Sequence, residues 1–264
     1  GDTPLAAVVR DGVGLRFRRL GVDGASAASG KGLPPIASGA FLGKASIGTV
    51  LPSPAAGEVL LPVRGLDGRA YTVTASCRAP ASGSGAYGQD DASSPLVRIP
   101  MSLTPAHVAS IGDRMMGQPY GWGGLNGGRD CSAMMRDLFA PFGIWLPRNS
   151  ARQAESGARV PLDTLKPAAK EQRLLASAQP FRTLVWMPGH IGLYVGQQGR
   201  AAFFHNMWGV RTQLDDGREG RAIVGRAVIT SLRPGAERAD ADEERLLIER
   251  VGAFTVIGGN VSEK

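Results

Sequence analysis

Over the first 78 residues the apolar positions come in short or alternating runs, at Ala6–Val9, Gly14–Phe17, Ile47–Leu51, Glu58–Val63 and Ala70–Val73, separated by Gly, Pro, Asp and Ser. Short runs with frequent turns predict the strands of a small barrel or sandwich over residues 1–78. Residues 79–96 are small and polar with almost no apolar bulk, which predicts a linker, carried here to residue 100, and a domain boundary. Helical spacing takes over beyond it. Thr104-Pro105 is an N-cap with proline at the first helical position, Val108, Ile111 and Met115 share a face, and Gly117 stops the helix. After the glycine-rich segment 120–128, the apolar residues Met134, Met135, Leu138, Phe139 and Phe142 recur at helical spacing. Cys131 therefore falls in a first helical turn, with Asp130 as its expected N-cap. Ser150 is expected to cap a short helix stopped by Gly157, and a further helix is expected around Ala168–Ala178.

From Arg182 to Arg211 the pattern is of strands: Thr183–Met187, a Pro188-Gly189 turn, His190–Gly196, a turn at 197–200, and Ala201–Met207. A tight Gln198-Gly199 turn would pair Gly196 with Ala201. In that register His205 lies opposite Gly192, and His190 and His205 become diagonal neighbours on one face, roughly 7–8 Å apart. A slip of one residue would separate them. Asn206 would point to the other face.

Composition narrows the class. The chain has 264 residues with 37 Gly and 18 Pro, so roughly one residue in five breaks regular structure, which argues against a coiled coil or long helical array. Hydrophobic residues at 43% and charged ones at 20% suit a globular protein, and no apolar run is long enough for a membrane span. The net charge of +7 is diffuse, with 10 basic and 7 acidic residues before position 100 and 20 and 16 after it. No basic arm for nucleic acid is present, and a diffuse positive field would favour approach to a polyanionic surface such as a bacterial wall. The first residues show no signal peptide, leaving either a cytosolic protein or a mature chain. Two cysteines, Cys77 and Cys131, either pair once or leave at least one free.

One cysteine at a helix start and two histidines on one sheet face are the parts of a thiol hydrolase. A helix dipole and a neighbouring imidazolium should lower the thiol pKa. His190 would be the general base, His205 the group that fixes its tautomer, and Asn206 a competing orienter. Tyr120 could offer its hydroxyl to an oxyanion, or with Trp122 simply line a cleft. Arg148 could bind a substrate carboxylate or form a structural ion pair. Cys, His and His are also a conceivable zinc set, although close-spaced ligands are missing, so no metal or other cofactor is expected. The glycines of 121–128 match neither phosphate-loop pattern. His107 reads as a surface residue and Cys77 as structural or free.

Several blocks in order resemble the NlpC/P60 family of cell-wall peptidases: Pro119–Gly124, Asp130-Cys131-Ser132, Leu146–Ser150 with Gln153, Pro188–Gly196 and His205–Gly209, all within about Leu103 to Val228. The resemblance implies an α+β fold with a papain-like core, an antiparallel sheet packed on helices, over residues 101–230. It further implies a Cys131–His190–His205 triad that cleaves between D-γ-glutamate and the following diamino acid of peptidoglycan stem peptides. Asp130 and Ser132, with Tyr120 nearby, would hold a free N-terminal L-Ala amine, so that released fragments are favoured. The first hundred residues look like a bacterial SH3-like barrel, with room for one such domain and at most a remnant of the second that this subgroup carries. Residues 231–264 remain as a tail, with a helix expected over Asp242–Val251. Periplasm or cell envelope follows from the substrate class alone. Two other readings stay open: a wall-binding protein with an idle peptidase domain, and a thiol amidase or acyltransferase on the same core.

Overall fold

The computed structural model describes residues 3–20, 36–78, 94–214 and 216–258. By internal contacts the chain divides into two units, residues 1–103 with 137–144, and residues 104–136 with 145–264. The expected linker falls mostly on residues 79–93, outside the described residues.

In the first unit, valine, leucine and alanine on alternate positions build seven strands: β1 (Leu5–Val8), β2 (Val13–Leu20), β3 (Phe41–Ala45), β4 (Val50–Pro52), β5 (Glu58–Arg64), β6 (Ala70–Arg78) and β7 (Leu96–Arg98). They form two antiparallel sheets, ordered β4-β1-β7 and β3-β2-β6-β5. One face of each strand feeds a core of Ala6, Val8, Val13, Leu15, Ala45, Val59, Ala75 and Leu96. Two expectations need correction. Residues 96–98 are not linker, because β7 pairs with β1 and buries Leu96. A strand also forms at 41–45, where Gly43 and Lys44 interrupt any readable alternation.

The second unit holds α1 (Pro105–Met115), the start of α2 (Cys131–Phe139), α3 (Ser150–Gln153), α4 (Pro167–Ser177) and α5 (Leu247–Arg250), with strands β8 (Ala158–Pro161), β9 (Thr183–Met187), β10 (His190–Gln198), β11 (Arg200–Gln213), β12 (Glu219–Thr230) and β13 (Ala253–Val256). Thr104 caps α1 by accepting the His107 N–H, with Pro105 at the first position as expected. The cap of α3 is Asn149 and not Ser150: its side chain accepts from the amides of Ala151 and Arg152. The six strands make one antiparallel sheet ordered β12-β11-β10-β9-β13-β8. Leu174 of α4 and Leu247 and Ile248 of α5 pack with Val185, Tyr194, Phe203 and Phe254. Phe204 turns the opposite way, against Gly112 of α1. Among the described residues no helix is long and apolar enough to cross a membrane.

The tail departs most from expectation. In place of one helix over 242–251 there is a 3-10 turn at Glu243–Arg245, the four-residue α5, and then β13, inserted between β9 and β8. Ala253, Phe254, Thr255 and Val256 are all buried, because a strand in mid-sheet is covered on both faces. Such a run has no alternation to reveal it. Removing the ring of the fully buried Phe254 should cost about 3–5 kcal/mol. We expect Phe254→Ala to show it as a lowered denaturant midpoint, and a loss under 1 kcal/mol would mean that β13 is not part of the central sheet.

Candidate active site

Residues 121–128 close a loop whose ends almost touch. A Cβ on Gly121 would lie 2.7 Å from the backbone of Gly128, so neither side of that pinch can carry a side chain. The loop delivers the chain into α2 with Asp130 as N-cap, its Oδ1 accepting the Ala133 amide at 2.9 Å and its carbonyl accepting that of Met134. Cys131 starts the helix and is 6% exposed. Its thiol receives the backbone N–H of Ile191, the residue that follows His190 on β10, and the amides of Ser132 and Cys131 also face it. Burial is the largest influence on this thiol and pushes its pKa up; the Asp130 charge adds to that, and the three amides only partly offset it. The expected depression by an imidazolium is absent, because His190 is itself uncharged near neutrality. Burial and the Arg250 charge lower its pKa to about 4. Cys131 is not joined to Cys77; both are free thiols, and burial pushes Cys77 up to about 11.

His190 Nε2 and His205 Nδ1 are 2.7 Å apart. The strand register brings them there by two compensating departures. Near the turn Gly196 pairs with Ala202 and not Ala201, and a bulge at Val195 then restores Tyr194 opposite Phe203 and Leu193 opposite Phe204. His205 thus backs onto Gly192, where a Cβ would lie 2.7 Å from both the His205 Cβ and the Phe203 ring. Only glycine leaves His205 room.

The hydrogen bonds beyond His205 determine which nitrogen carries each proton. Thr230 Oγ1 donates its only hydrogen to the Ser231 carbonyl at 2.7 Å, so it can only accept from His205 Nε2, 3.0 Å away. With Nε2 protonated, His205 Nδ1 is an acceptor and receives the Nε2–H of His190. His190 Nδ1 is then the nitrogen that keeps its lone pair. His205 is fully buried, and burial followed by the His190 charge holds its pKa well below the ordinary value. Asn206 does not compete for His190. It points the other way, and its amide donates to the Arg129 carbonyl at 2.8 Å, tying down the loop before α2.

Arg148 grips Asp130 with both guanidinium nitrogens and donates to Ser132 Oγ at 2.8 Å, while Ser132 Oγ donates to Asp130 Oδ1 at 3.1 Å. Burial would raise the Asp130 carboxyl, but Arg148, the Ala133 amide and the Ser132 hydroxyl together hold it below its ordinary value. Of the two alternatives for Arg148, the ion pair is the one formed. Gln153 braces this corner by donating to the Ser132 and Pro147 carbonyls. Tyr120, Trp122 and Trp208 form an aromatic trio with ring centroids 5.0–6.0 Å apart. Burial, then the nearby Cys131 and Asp130, raise the Tyr120 hydroxyl pKa, so it stays a proton donor. Sequence reasoning missed Thr230, which lies beyond the last matched block. It also missed four arginines that share a pocket with His190; they are scattered from 211 to 250 with no common spacing.

The NlpC/P60 family model matches residues 117–218, a span that includes Cys131, His190 and His205. A gamma-D-glutamyl-L-lysine dipeptidyl-peptidase of Bacillus subtilis is 36% identical over 94 residues, 35% of this chain and 30% of that protein. A bifunctional muramidase/DL-endopeptidase of the same organism is 34% identical over 82 residues, 30% of this chain and 23% of that protein. The chain thus spans under a third of the curated relatives it matches. Among solved structures, an NlpC/P60 endopeptidase from Photobacterium damselae subsp. piscicida superposes with a TM-score of 0.71 at 24% identity, over 99% of this chain and 55% of that one. An NlpC/P60 family protein from Bacillus cereus gives 0.51 at 15% identity, over 96% and 63%. These two likenesses establish the fold.

The tautomer assignment can be checked directly. Nitrogen NMR should find both His190 and His205 protonated at Nε2 at neutral pH. Thr230→Val removes the acceptor that fixes this state and should change the pattern while the fold is kept; an unchanged pattern would contradict the assignment.

Proposed function

We propose that the chain uses residues 117–218, which match the NlpC/P60 family model, as a cysteine peptidase on peptidoglycan stem peptides, cutting the bond from D-γ-glutamate to the diamino acid. The observation that carries this is the 2.7 Å His190–His205 contact, together with a buried Cys131 thiol bonded by the amide of Ile191, the residue after His190. The bond specificity takes its support from the activity named for the Bacillus subtilis relative.

In this reading His190 Nδ1 accepts the thiol proton as the sulfur attacks the scissile carbonyl carbon. The Cys131 amide and the Tyr120 hydroxyl face the developing oxyanion. As the tetrahedral intermediate collapses, the C–N bond breaks and Nδ1–H protonates the leaving amine, leaving a thioester. His190 next deprotonates a water that attacks the thioester, and the thiol regains its proton. His205 holds the ring in place and shares the transient positive charge. Because it is neutral, it stabilises an imidazolium less than a carboxylate would. The first unit is read as an SH3-like wall-binding module, supported by its two small sheets around one core. This substrate class assigns the protein to the cell envelope.

The test is incubation with L-Ala-γ-D-Glu-diamino acid peptides and mass spectrometry of the products. We expect release of the diamino acid, lost by at least about 10³-fold in Cys131→Ala and His190→Ala. Undiminished release by Cys131→Ala would overturn the proposal. His190 must be uncharged to act as base, so lowering the pH removes activity as the imidazole protonates. The acid limb of kcat/KM should therefore lie near pH 4, not near the ordinary 6.5. Arg148 already neutralises Asp130, so acetylating the substrate N-terminus should cost less than about tenfold, roughly 1.4 kcal/mol.

A further inference from the structure

His190 follows a two-residue turn whose own chemistry leaves its conformation underdetermined. Met187 of β9 pairs with His190 of β10, so Pro188 and Gly189 make up the whole loop. Proline holds φ near about −65°, and Gly189 has a φ of +78°. A negative φ followed by a positive one is the type II pattern. Two-residue hairpins favour types I′ and II′, whose twist matches the strands, whereas type II splays them. Gly189 is required by that φ alone, since nothing lies within 4 Å of where a Cβ would stand. The bond that closes a turn uses the carbonyl of its first residue, so the carbonyl of Pro188 is left for another donor. Rotation of the Pro188–Gly189 peptide would change the turn type and redirect the chain into His190.

The donor is Arg250, whose guanidinium bonds the Pro188 carbonyl. Its backbone is firmly held. Arg250 ends α5, where Leu247 and Ile248 are buried and the Glu249 carbonyl receives Lys170 Nζ at 2.8 Å. Two residues later the Gly252 amide donates to the Trp186 carbonyl at 3.0 Å, and Ala253 pairs with Trp186 of β9. One short segment thus fixes both the strand that enters the turn and the turn itself. It lies outside residues 117–218, the span that matches the family model. Arg250 has no carboxylate partner among the described residues, whereas Arg211, Arg221 and Arg245 draw on Glu219, and Asp242 pairs with Arg245. We infer that Arg250 is a positioning residue for the base: its hold on the Pro188 carbonyl keeps the turn in the one form that brings His190 to His205. Its charge acts on the same ring. His190 faces His205 of β11 at 2.7 Å, the next amide bonds the Cys131 thiol of α2, and Tyr120, Arg211, Arg221, Arg245 and Asp242 share its pocket wall. Among these groups Arg250 is the charge that, after burial, lowers the His190 pKa to about 4. The inference rests on the proposed peptidase reading for the role of His190 as base.

Two variants test this. Arg250→Met keeps the apolar stem but removes donor and charge, and Arg250→Lys keeps a donor and the charge. NMR titration of the His190 ring, without substrate, should give a midpoint near pH 4 in the wild type. Without the neighbouring positive charge an imidazolium forms more easily, so the midpoint should move up towards the ordinary value in Arg250→Met and stay low in Arg250→Lys. The His190 amide should also exchange faster with solvent in Arg250→Met, because the turn is no longer held. At about pH 8 His190 is neutral in all three proteins, so a remaining difference in rate reports position and not protonation. There we expect Arg250→Met to lower kcat on L-Ala-γ-D-Glu-diamino acid peptides by at least about tenfold, with a smaller change in KM, and Arg250→Lys to recover most of it. A His190 midpoint that stays near pH 4 in Arg250→Met, or a wild-type kcat with only KM raised, would overturn the inference. If the wild-type protein cleaves none of the peptides the peptidase reading fails by itself, and the His190 midpoint and amide exchange in Arg250→Met still decide the role of Arg250.

Discussion

The proton on Thr230 is where the arrangement of the site is decided. That hydroxyl has one hydrogen, and the Ser231 carbonyl takes it. From there each bond dictates the next: Thr230 must accept, His205 must donate from Nε2 and accept at Nδ1, and His190 must keep its lone pair at Nδ1. In families of thiol and serine hydrolases a carboxylate commonly sets the tautomer by its charge. Here a neutral chain ending in a backbone carbonyl sets it by counting hydrogens. The chain works only in a dry setting, and His205 is fully buried behind Gly192 and Phe203. The same dryness drives the histidine pKa values down and the Cys131 thiol up. The proposed nucleophile and base therefore rest as a neutral pair, and charge separation is deferred to the moment of attack.

Much of this was legible in the residues, and the parts that were not share a physical reason. Cys131 at a helix start capped by Asp130, and two histidines on one face of neighbouring strands, follow from local spacing. The assumed turn register was off by one at Gly196, yet the site survived because the Val195 bulge absorbs the difference before Leu193. No pattern of apolar residues encodes such a compensation. β13 was hidden because a strand covered on both faces reads like any buried segment. Thr230 and the four arginines lie far apart along the chain and meet only when β11, β12 and α5 are assembled. The direction of the Cys131 shift was misjudged for a related cause. A helix dipole is worth well under 1 kcal/mol at most exposed sites, and the degree of burial that outweighs it is a property of the fold.

Arginine plays two opposite parts around the aromatic trio. Arg148 is spent on Asp130 and Ser132, giving a rigid, electrically neutral corner beside the cysteine. On the other side of His190 the balance is left uneven, with three arginines drawing on Glu219 and Arg250 resting on a carbonyl. The excess is felt at His190, whose pKa Arg250 helps to depress.

The central claim is that Cys131 and His190 sit together and rest uncharged. Its most direct measurement is the rate of iodoacetamide alkylation at Cys131, followed residue by residue from pH 4 to 9. A neutral pair predicts a rate that climbs with pH across this range and exceeds that of Cys77 at neutrality. A rate at Cys131 that has already levelled off by pH 5 would mean a standing thiolate–imidazolium pair and would contradict the account.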